Sequence, residues 1–362
     1  MEKENKKISN GVNIKELFKM AIEEKASDLH LVVSLPPMLR LDGELMPIKG
    51  EKELGQKELE QMAFSLLDES QKKKFIEKKD LDFGFSPDNK SRFRVNLCYE
   101  KGNISLAARV INENIFTLEE IGMPKIISNL LGLDQGLILV TGPTGCGKSV
   151  TLAAMINYIN QNRQCNIITL EDPIEFIFKS EKSIITQRQL GSDMLTFANG
   201  LKHVLRQDPD VIMVGEMRDL ETIGTTITLA ETGHLVLATL HTYSAAQTVD
   251  RIIDIFPPYQ QNQIRMQLSM VLAAVISQRL LPKISGGRVA AREIMFNTPA
   301  VANLIRENKI AQLRTVIETS SKEGMISLDQ HLKKLYEDKV IAKEVAQAQM
   351  NNPEMLDKFR IL

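Results

Sequence analysis

The side chains best suited to chemistry lie in one glycine-rich stretch, residues 142–149. Its sequence, Gly-Pro-Thr-Gly-Cys-Gly-Lys-Ser, fits the phosphate-binding pattern G-x-x-x-x-G-K-[ST] at every fixed position. In such a loop the backbone N–H groups surround phosphate oxygens, Lys148 reaches the terminal phosphates and the Ser149 hydroxyl can bind Mg²⁺. A glycine-rich turn matches the pattern by chance in about one chain in a hundred of this length. The residues predicted to bind nucleotide are Gly142, Pro143, Thr144, Gly145, Cys146, Gly147, Lys148, Ser149 and Val150.

The segments on either side of this loop have the structure that phosphate binding requires. Residues 137–140 are an apolar run that ends in valine, which is typical of a buried strand. Residues 152–159 supply the helix that must follow, and the N-terminus of a helix carries partial positive charge that favours phosphate. A strand, a glycine-rich loop and a helix in this order argue against a chance match and predict an ATP site.

Carboxylates follow two further predicted strands. Residues 171–175, Glu-Asp-Pro-Ile-Glu, come directly after a strand at 166–170, at the sheet edge where ligands bind in open α/β folds. A turn rich in Asp and Pro has this composition by default, but the preceding strand and the phosphate loop favour a functional role. Gly215 and Glu216 follow the apolar run 211–214, about 70 residues after the phosphate loop, where a second nucleotide-binding motif usually lies. Glu216 is therefore a candidate for the outer shell of Mg²⁺.

A further predicted strand, between residues 232 and 242, has a histidine at each end. His241 lies at the carboxyl end, where it could sense the γ-phosphate or polarise water. His234 lies at the other end, and we assign it to structure or to a subunit contact.

The first 111 residues predict a small α+β unit with an antiparallel sheet. Strands are predicted at residues 80–85, 93–99 and 104–111, and one polar helical stretch at residues 56–77. Arg92 and Arg94 share a strand face, and Arg109 lies in the last strand. A solvated sheet face explains these arginines most simply; alternatively, they reach a phosphate across a subunit boundary. Residues 112–124 are the predicted linker to a second domain at 125–362.

The second domain alternates strands and helices, which predicts a mostly parallel sheet covered by helices. After Pro257 the chain is predicted to be mainly helical. The predicted elements are a long helix at 261–281, a short strand at 288–294 and helices at 299–308, 311–320, 327–337 and 342–350.

The composition is that of an ordinary globular protein, with 43% hydrophobic and 25% charged residues among 362. A net charge of −1 creates no strong field toward nucleic acid or acidic lipid. The N-terminus does not resemble a signal peptide, and the longest apolar run, residues 270–276, is too short to span a bilayer. Cys98, Cys146 and Cys165 form no metal-binding pair. These features predict a cytoplasmic protein that reaches a membrane only through partners.

With these residues in view, the chain is similar to the secretion ATPase superfamily of type II and type IV pilus motors, and within it to the type IV pilus retraction ATPases. The resemblance covers nearly the whole chain. Its motifs match at residues 27–30, 36–40, 92–96, 171–175, 215–219, 232–241 and 300–307. Three positions depart from the family pattern: Val301 stands where the family has isoleucine, Ala302 stands where it has arginine, and Cys146 replaces the usual serine of the loop.

The resemblance implies a homohexameric ring. Each chain would have an α/β architecture, with a small α+β, PAS-like N-terminal domain, a RecA-like P-loop ATPase core and a helical C-terminal extension. Glu175 would be the general base that orients the attacking water, and Glu216 would act with Mg²⁺. Arg94 and Arg109 would approach ATP as arginine fingers, which are worth about 10³–10⁵ in rate in related phosphoryl transfer.

The implied function is pilus retraction, in which ATP hydrolysis drives domain rotations that remove pilins and power twitching motility. The implied partners are an inner-membrane platform protein and a paralogous retraction ATPase, at the cytoplasmic face of the inner membrane. The alternatives are a pilus assembly or type II secretion ATPase, a RecA-like nucleic-acid translocase, and a regulatory partner that binds ATP but barely hydrolyses it. The near-zero net charge argues against nucleic acid, and the intact Lys148, Glu175 and Glu216 argue against a regulatory partner.

Overall fold

The chain divides into two compact units in a computed structural model that describes residues 13–41, 43–88, 91–111 and 115–356. One unit extends up to Asn114 and also includes Glu175–Ile177. The other comprises Ile115–Ile174 and Phe178–Leu362. Residues 112–114 of the predicted linker lie outside the described part of the chain. Further along that stretch, Leu118 and Met123 are buried in the core of the second unit.

The first unit is built around an antiparallel sheet, which in the described residues has six strands in the order β3-β2-β1-β6-β5-β4. Along β5 the inward residues Phe93, Val95 and Leu97 are buried, whereas Arg94 between them is exposed. This alternation is what a strand with one buried face requires. The elements are α1 (Ile14–Glu23), β1 (Asp28–Leu31), β2 (Met38–Leu41), β3 (Glu44–Pro47), α2 (Gln56–Ser65), α3 (Glu69–Lys78), β4 (Asp80–Phe85), β5 (Arg92–Glu100) and β6 (Asn103–Ile111).

The polar stretch at 56–77, predicted as one helical segment, is two helices, α2 and α3. Asp68 starts the second helix, since its side chain accepts a hydrogen bond from the Gln71 N–H at 2.8 Å. The Gln71 side chain in turn accepts from the Asp68 N–H at 3.1 Å. This reciprocal capping satisfies N–H groups at the start of a helix and fixes the break between α2 and α3.

The second unit contains a sheet of seven strands among the described residues, in the order β13-β12-β7-β11-β10-β8-β9. All neighbouring pairs are parallel except β12 and β13. This arrangement confirms the predicted α/β class. The elements are α4 (Ile126–Leu130), β7 (Gly136–Thr141), α5 (Lys148–Asn162), β8 (Asn166–Glu171), β9 (Ile184–Gln189), α6 (Phe197–Val204), β10 (Val211–Val214), α7 (Leu220–Glu231), β11 (Leu235–Leu240), α8 (Ala245–Asp254), α9 (Pro258–Val271), β12 (Leu272–Pro282), β13 (Arg288–Phe296), α10 (Pro299–Arg306), α11 (Leu313–Thr319), α12 (Leu328–Glu337) and α13 (Lys343–Gln349).

The long helix predicted at 261–281 is wrong in its second half. The helix α9 ends at Val271, and the next eleven residues form β12 between β7 and β13. Most of β12 is buried, because it lies inside the sheet. A strand buried on both faces lacks apolar–polar alternation, so its sequence resembles that of a buried helix. The strand at β13 and the four described helices α10–α13 agree with the predicted elements.

Arg292, on β13, is almost fully buried and holds the start of the second unit in place. Its guanidinium donates hydrogen bonds to the carbonyl oxygens of Ile121 (2.8 Å) and Gly122 (3.1 Å). Burial lowers the pKa of Arg292 to about 10, so the side chain is still charged at neutral pH. These bonds tie residues 121–122 to β13, an edge strand of the sheet.

No helix among the described residues combines the length and apolar character needed to cross a bilayer.

Candidate active site

The candidate site lies at the carboxyl edge of the parallel strands in the second unit. In the sheet, β11 lies between β7 and β10, with Leu240 opposite Thr141 and Ala238 opposite Val214. The loops that follow these three strands are therefore neighbours. Ligands in open α/β sheets bind at this edge, where helices begin and strand ends leave backbone groups available.

The phosphate loop connects β7 to α5. Gly147, the last residue before the helix, has φ of +90°, a conformation that favours glycine. It is the N-cap of α5, and having no side chain it leaves the first N–H groups of the helix without a side-chain cap. Lys148, Ser149 and Val150 are the first three residues of that helix. This is the local structure that binds anions in proteins.

Lys148 turns back over its own loop. Its Nζ donates hydrogen bonds to the carbonyl oxygens of Gly142 (2.8 Å) and Pro143 (3.1 Å). It also lies 3.5 Å from Nδ1 of His241. An ammonium group can only donate, so Nδ1 is the acceptor in this contact and the proton of a neutral imidazole is on Nε2.

Glu216 lies next to His241 because the sheet continues past the end of β10. The Gly215 N–H donates to the Leu170 carbonyl at 2.8 Å, and the Met217 N–H donates to the Thr239 carbonyl at 3.1 Å. Glu216, between these two anchors, has Oε1 3.0 Å from Nε2 of His241. A row of polar side chains thus runs from Lys148 through His241 to Glu216.

Arg218 completes this row and was missed by sequence reasoning. It lies 2.8 Å from Oε2 of Glu216 and is largely exposed. Burial raises the pKa of Glu216, but the Arg218 hydrogen bond and the positive charges nearby outweigh it, so the net pKa lies below the ordinary value. Glu216 is therefore ionised at neutral pH, as a residue that helps to hold a cation must be. The spacing Glu-x-Arg was the available signal, because side chains two residues apart lie on the same side of an extended chain.

The carboxylates after β8 have different surroundings. Glu171 is buried and accepts hydrogen bonds from Thr169 Oγ1 (2.6 Å) and Gln187 Nε2 (3.1 Å), which ties β8 to β9. Glu175 is exposed and groups with the first compact unit. Glu171 therefore has a structural role, and the predicted role of Glu175 as a base stays a prediction.

Arg94 and Arg109 lie directly opposite each other on β5 and β6 of the first unit. Arg94 is paired with Asp82 at 3.6 Å, and Arg109 donates to Asp28 at 2.8 Å. Burial raises the pKa of Asp28, but the hydrogen bonds from Arg109 and Ser27, together with the positive charge of Arg109, lower it by more, so the net pKa lies below the ordinary value. The side chain of Arg109 is 71% exposed, whereas that of its partner Asp28 is only 10% exposed.

His234 has a local structural partner. Its Nδ1 lies 2.9 Å from the Leu229 carbonyl oxygen near the end of α7 and 3.3 Å from Thr232 Oγ1. The ring ties the turn before β11 to the end of the helix, which agrees with the structural alternative.

Comparison with known proteins identifies the family. Residues 2–356 match the family described as type II/IV secretion system protein. The chain belongs to this family. The type IV pilus retraction ATPase PilT of Pseudomonas aeruginosa is 45% identical over 343 residues, which cover 95% of this chain and 99% of that relative. A twitching motility protein of Neisseria gonorrhoeae is 47% identical over 321 residues, or 88% of this chain and 86% of that protein.

A solved structure in this secretion family has the same fold. The crystal structure of the pilus retraction motor PilT with bound ADP matches with a TM-score of 0.90 and 44% identity. The match covers 96% of this chain and 100% of that chain. The resemblance inferred from the motifs and the predicted fold class are thereby confirmed.

Proposed function

We propose that this chain is an ATP-hydrolysing motor that powers type IV pilus retraction and twitching motility. The observation that carries the proposal is its likeness, over nearly the full length of both chains, to a relative named as a retraction ATPase. The row of Lys148, His241 and Glu216 beside a phosphate loop supports hydrolysis as the underlying reaction.

In the proposed mechanism the loop N–H groups and the start of α5 bind the phosphates of ATP. Lys148 leaves the carbonyls of Gly142 and Pro143 and contacts the terminal phosphates. Ser149 and Glu216 would hold Mg²⁺, which commonly uses one or two protein oxygens together with phosphate and water. That ion would neutralise charge on the phosphates.

Four further residues act at or beside the terminal phosphate. Glu175 orients the attacking water, and His241, which links Lys148 to Glu216, responds to the presence of the γ-phosphate. Arg94 and Arg109 of a neighbouring copy stabilise the charge that develops in the transition state. Binding and release of nucleotide then rotate the compact units as rigid bodies within a homohexamer.

The proposed partners are the inner-membrane platform protein of the pilus machine and a paralogous retraction ATPase. The chain would act at the cytoplasmic face of the inner membrane, peripheral to it and without direct binding of nucleic acid. Its net charge of −1 is consistent with protein partners rather than with a polyanion.

Deletion of the gene in the source organism tests the proposal most directly. If the chain drives retraction, the deletion should give excess surface pili and abolish surface motility. Wild-type protein should restore the normal number of pili and the motility, whereas Lys148→Ala should restore neither. Absent pili would indicate an assembly motor instead. Normal pili with a defect in protein export would indicate a secretion motor.

A further inference from the structure

The side chain of Gln278, on β12, forms hydrogen bonds to the phosphate loop and to the helix that follows it. This side chain is almost completely buried. The amide Nε2 donates to the Cys146 carbonyl oxygen at 2.8 Å, and Oε1 accepts from the Thr151 hydroxyl at 2.9 Å. One amide therefore bridges the loop and the first turns of α5. A carbonyl oxygen can only accept, so this network also fixes the orientation of the amide.

The bond to Cys146 sets the direction of a peptide group in the loop. In a trans peptide the C=O of one residue and the N–H of the next point in opposite directions. Since the Cys146 carbonyl points toward Gln278, the Gly147 N–H points away from Gln278. A buried carbonyl also needs a donor, because an unpaired one costs about 1–3 kcal/mol.

The backbone of Gln278 also meets the loop. A Cβ at Gly142 would overlap the Gln278 carbonyl oxygen and crowd the Cys146 sulfur. Glycine is thus required at Gly142 partly by β12, which runs beside the loop after its last pair with β7, Ser277 opposite Thr141. Both the side chain and the main chain of Gln278 shape this loop.

We propose that Gln278 is a positioning residue for ATP: it orients the Cys146–Gly147 peptide so that its N–H faces the phosphates. The inference rests on the proposed phosphate loop and adds to it a residue that touches no nucleotide. Gln278 preorganises the loop, so its loss weakens nucleotide binding. If Gln278 were only a structural brace, its loss would lower the melting temperature and leave nucleotide affinity unchanged.

Variants on both sides of the bridge separate these roles. Gln278→Met keeps the volume and removes both hydrogen bonds, and Thr151→Val removes only the hydroxyl. Thr151→Ser keeps the hydroxyl and removes only the methyl group, so it is the control for Thr151→Val. Ser277→Ala is the matched control, because this buried neighbour bonds Thr141 at 2.8 Å rather than the loop. The full-length protein is titrated with MgADP by calorimetry, and the KM and kcat for ATP and the melting temperature are measured alongside.

Gln278→Met should weaken MgADP binding and raise the KM for ATP, each about tenfold, with a smaller fall in kcat. Thr151→Val should show a smaller shift in the same direction, and Thr151→Ser should bind as the wild type does. Ser277→Ala should lose thermal stability but keep its affinity. If Gln278→Met does not fold, the Thr151 pair decides the question.

Unchanged affinity in Gln278→Met and Thr151→Val would overturn the inference, whatever their melting temperatures. Lys148→Ala distinguishes that result from failure of the proposed loop. If Lys148→Ala weakens MgADP binding and the Gln278 and Thr151 variants do not, only the role of Gln278 is wrong. If Lys148→Ala binds as the wild type does, the phosphate site itself is misassigned.

Discussion

Lys148 and Arg109 are both basic residues that we expect to meet phosphate, but the molecule holds them in different ways. Lys148 starts a helix on a buried parallel strand and bonds to two backbone carbonyls. Arg109 lies on an antiparallel sheet, with its side chain 71% exposed and one carboxylate as its described ion-pair partner. One group is part of a braced loop, and the other is an exposed side chain paired with a largely buried carboxylate.

This difference indicates which part of the site is preformed. Buried braces such as Gln278 keep the loop in one conformation before nucleotide arrives. The Arg94–Asp82 pair is exposed on both sides, and such pairs contribute only about 0–1 kcal/mol, so Arg94 can exchange its carboxylate for a phosphate at small cost. Arg109 would leave a buried carboxylate, but Arg40 lies 3.7 Å from Asp28 and would stay beside it. In the proposed cycle, this arrangement would let the same arginines engage and release phosphate at each turnover.

The largest expected effect is that of Lys148→Ala. It removes the point charge on the terminal phosphates, which weakens nucleotide binding as well as the reaction, so hydrolysis should be abolished. Phosphate release measures the rate, and the melting temperature without nucleotide should stay close to that of the wild type. Turnover at the wild-type rate would show that residues 142–149 are not the phosphate-binding loop.

Glu175→Gln comes next. A general base contributes about 10²–10⁴-fold, so hydrolysis should stop on the assay timescale while ATP still binds. Binding is measured with a fluorescent ATP analogue and turnover by phosphate release. Weakened binding with normal turnover would move the base to another residue.

Arg94→Ala and Arg109→Ala sharpen the other side of the comparison. Each should lower kcat by about 10–10²-fold, less than a lone arginine finger, because the two arginines are neighbours and share the role. Nucleotide affinity should change little, since the loop stays intact. Equal losses of affinity and kcat would show that these arginines belong to the braced part of the site.

The smallest effect should come from Asp28→Asn, which frees Arg109. The folded pKa of Asp28 lies below its ordinary value of 3.8, so its ion pair stabilises the fold above pH 3.8 and is lost as the pH falls through the folded pKa. Because solvent screens Arg109, the variant should lose only about 0.5–1 kcal/mol at neutral pH. Urea unfolding from pH 7 downward should show this gap closing below pH 4. A gap that widens in acid would contradict the assigned pair.

The sequence predicts the site more completely than it predicts the elements behind it. Phosphate chemistry fixes residue types and spacing, so the loop, Glu216 and His241 can be found from the pattern, and the structure places their side chains in one row. The role of Arg218 depends on how its side chain turns toward Glu216, which spacing alone does not determine.

Gln278 was missed for a reason that lies in the fold. Its strand, β12, pairs with β7, whose residues are far away in the sequence, and burial on both faces removes the alternation that marks a strand. The error of predicting a helix there also concealed the brace of the phosphate loop. By contrast, the break between α2 and α3 was present in the sequence as the pair Asp68 and Gln71.

The central claim is that a braced phosphate loop in one copy works with loosely held arginines from the next copy. Mixing Lys148→Ala with an Arg94→Ala, Arg109→Ala double variant tests it, because each inactive chain supplies what the other lacks. In mixed hexamers made by coexpression, about one interface in four should regain an intact site and restore measurable hydrolysis. A control mixture of Lys148→Ala with Glu216→Gln should stay inactive. Hydrolysis no higher than that of the separate variants, in hexamers shown to contain both chains, would contradict the account.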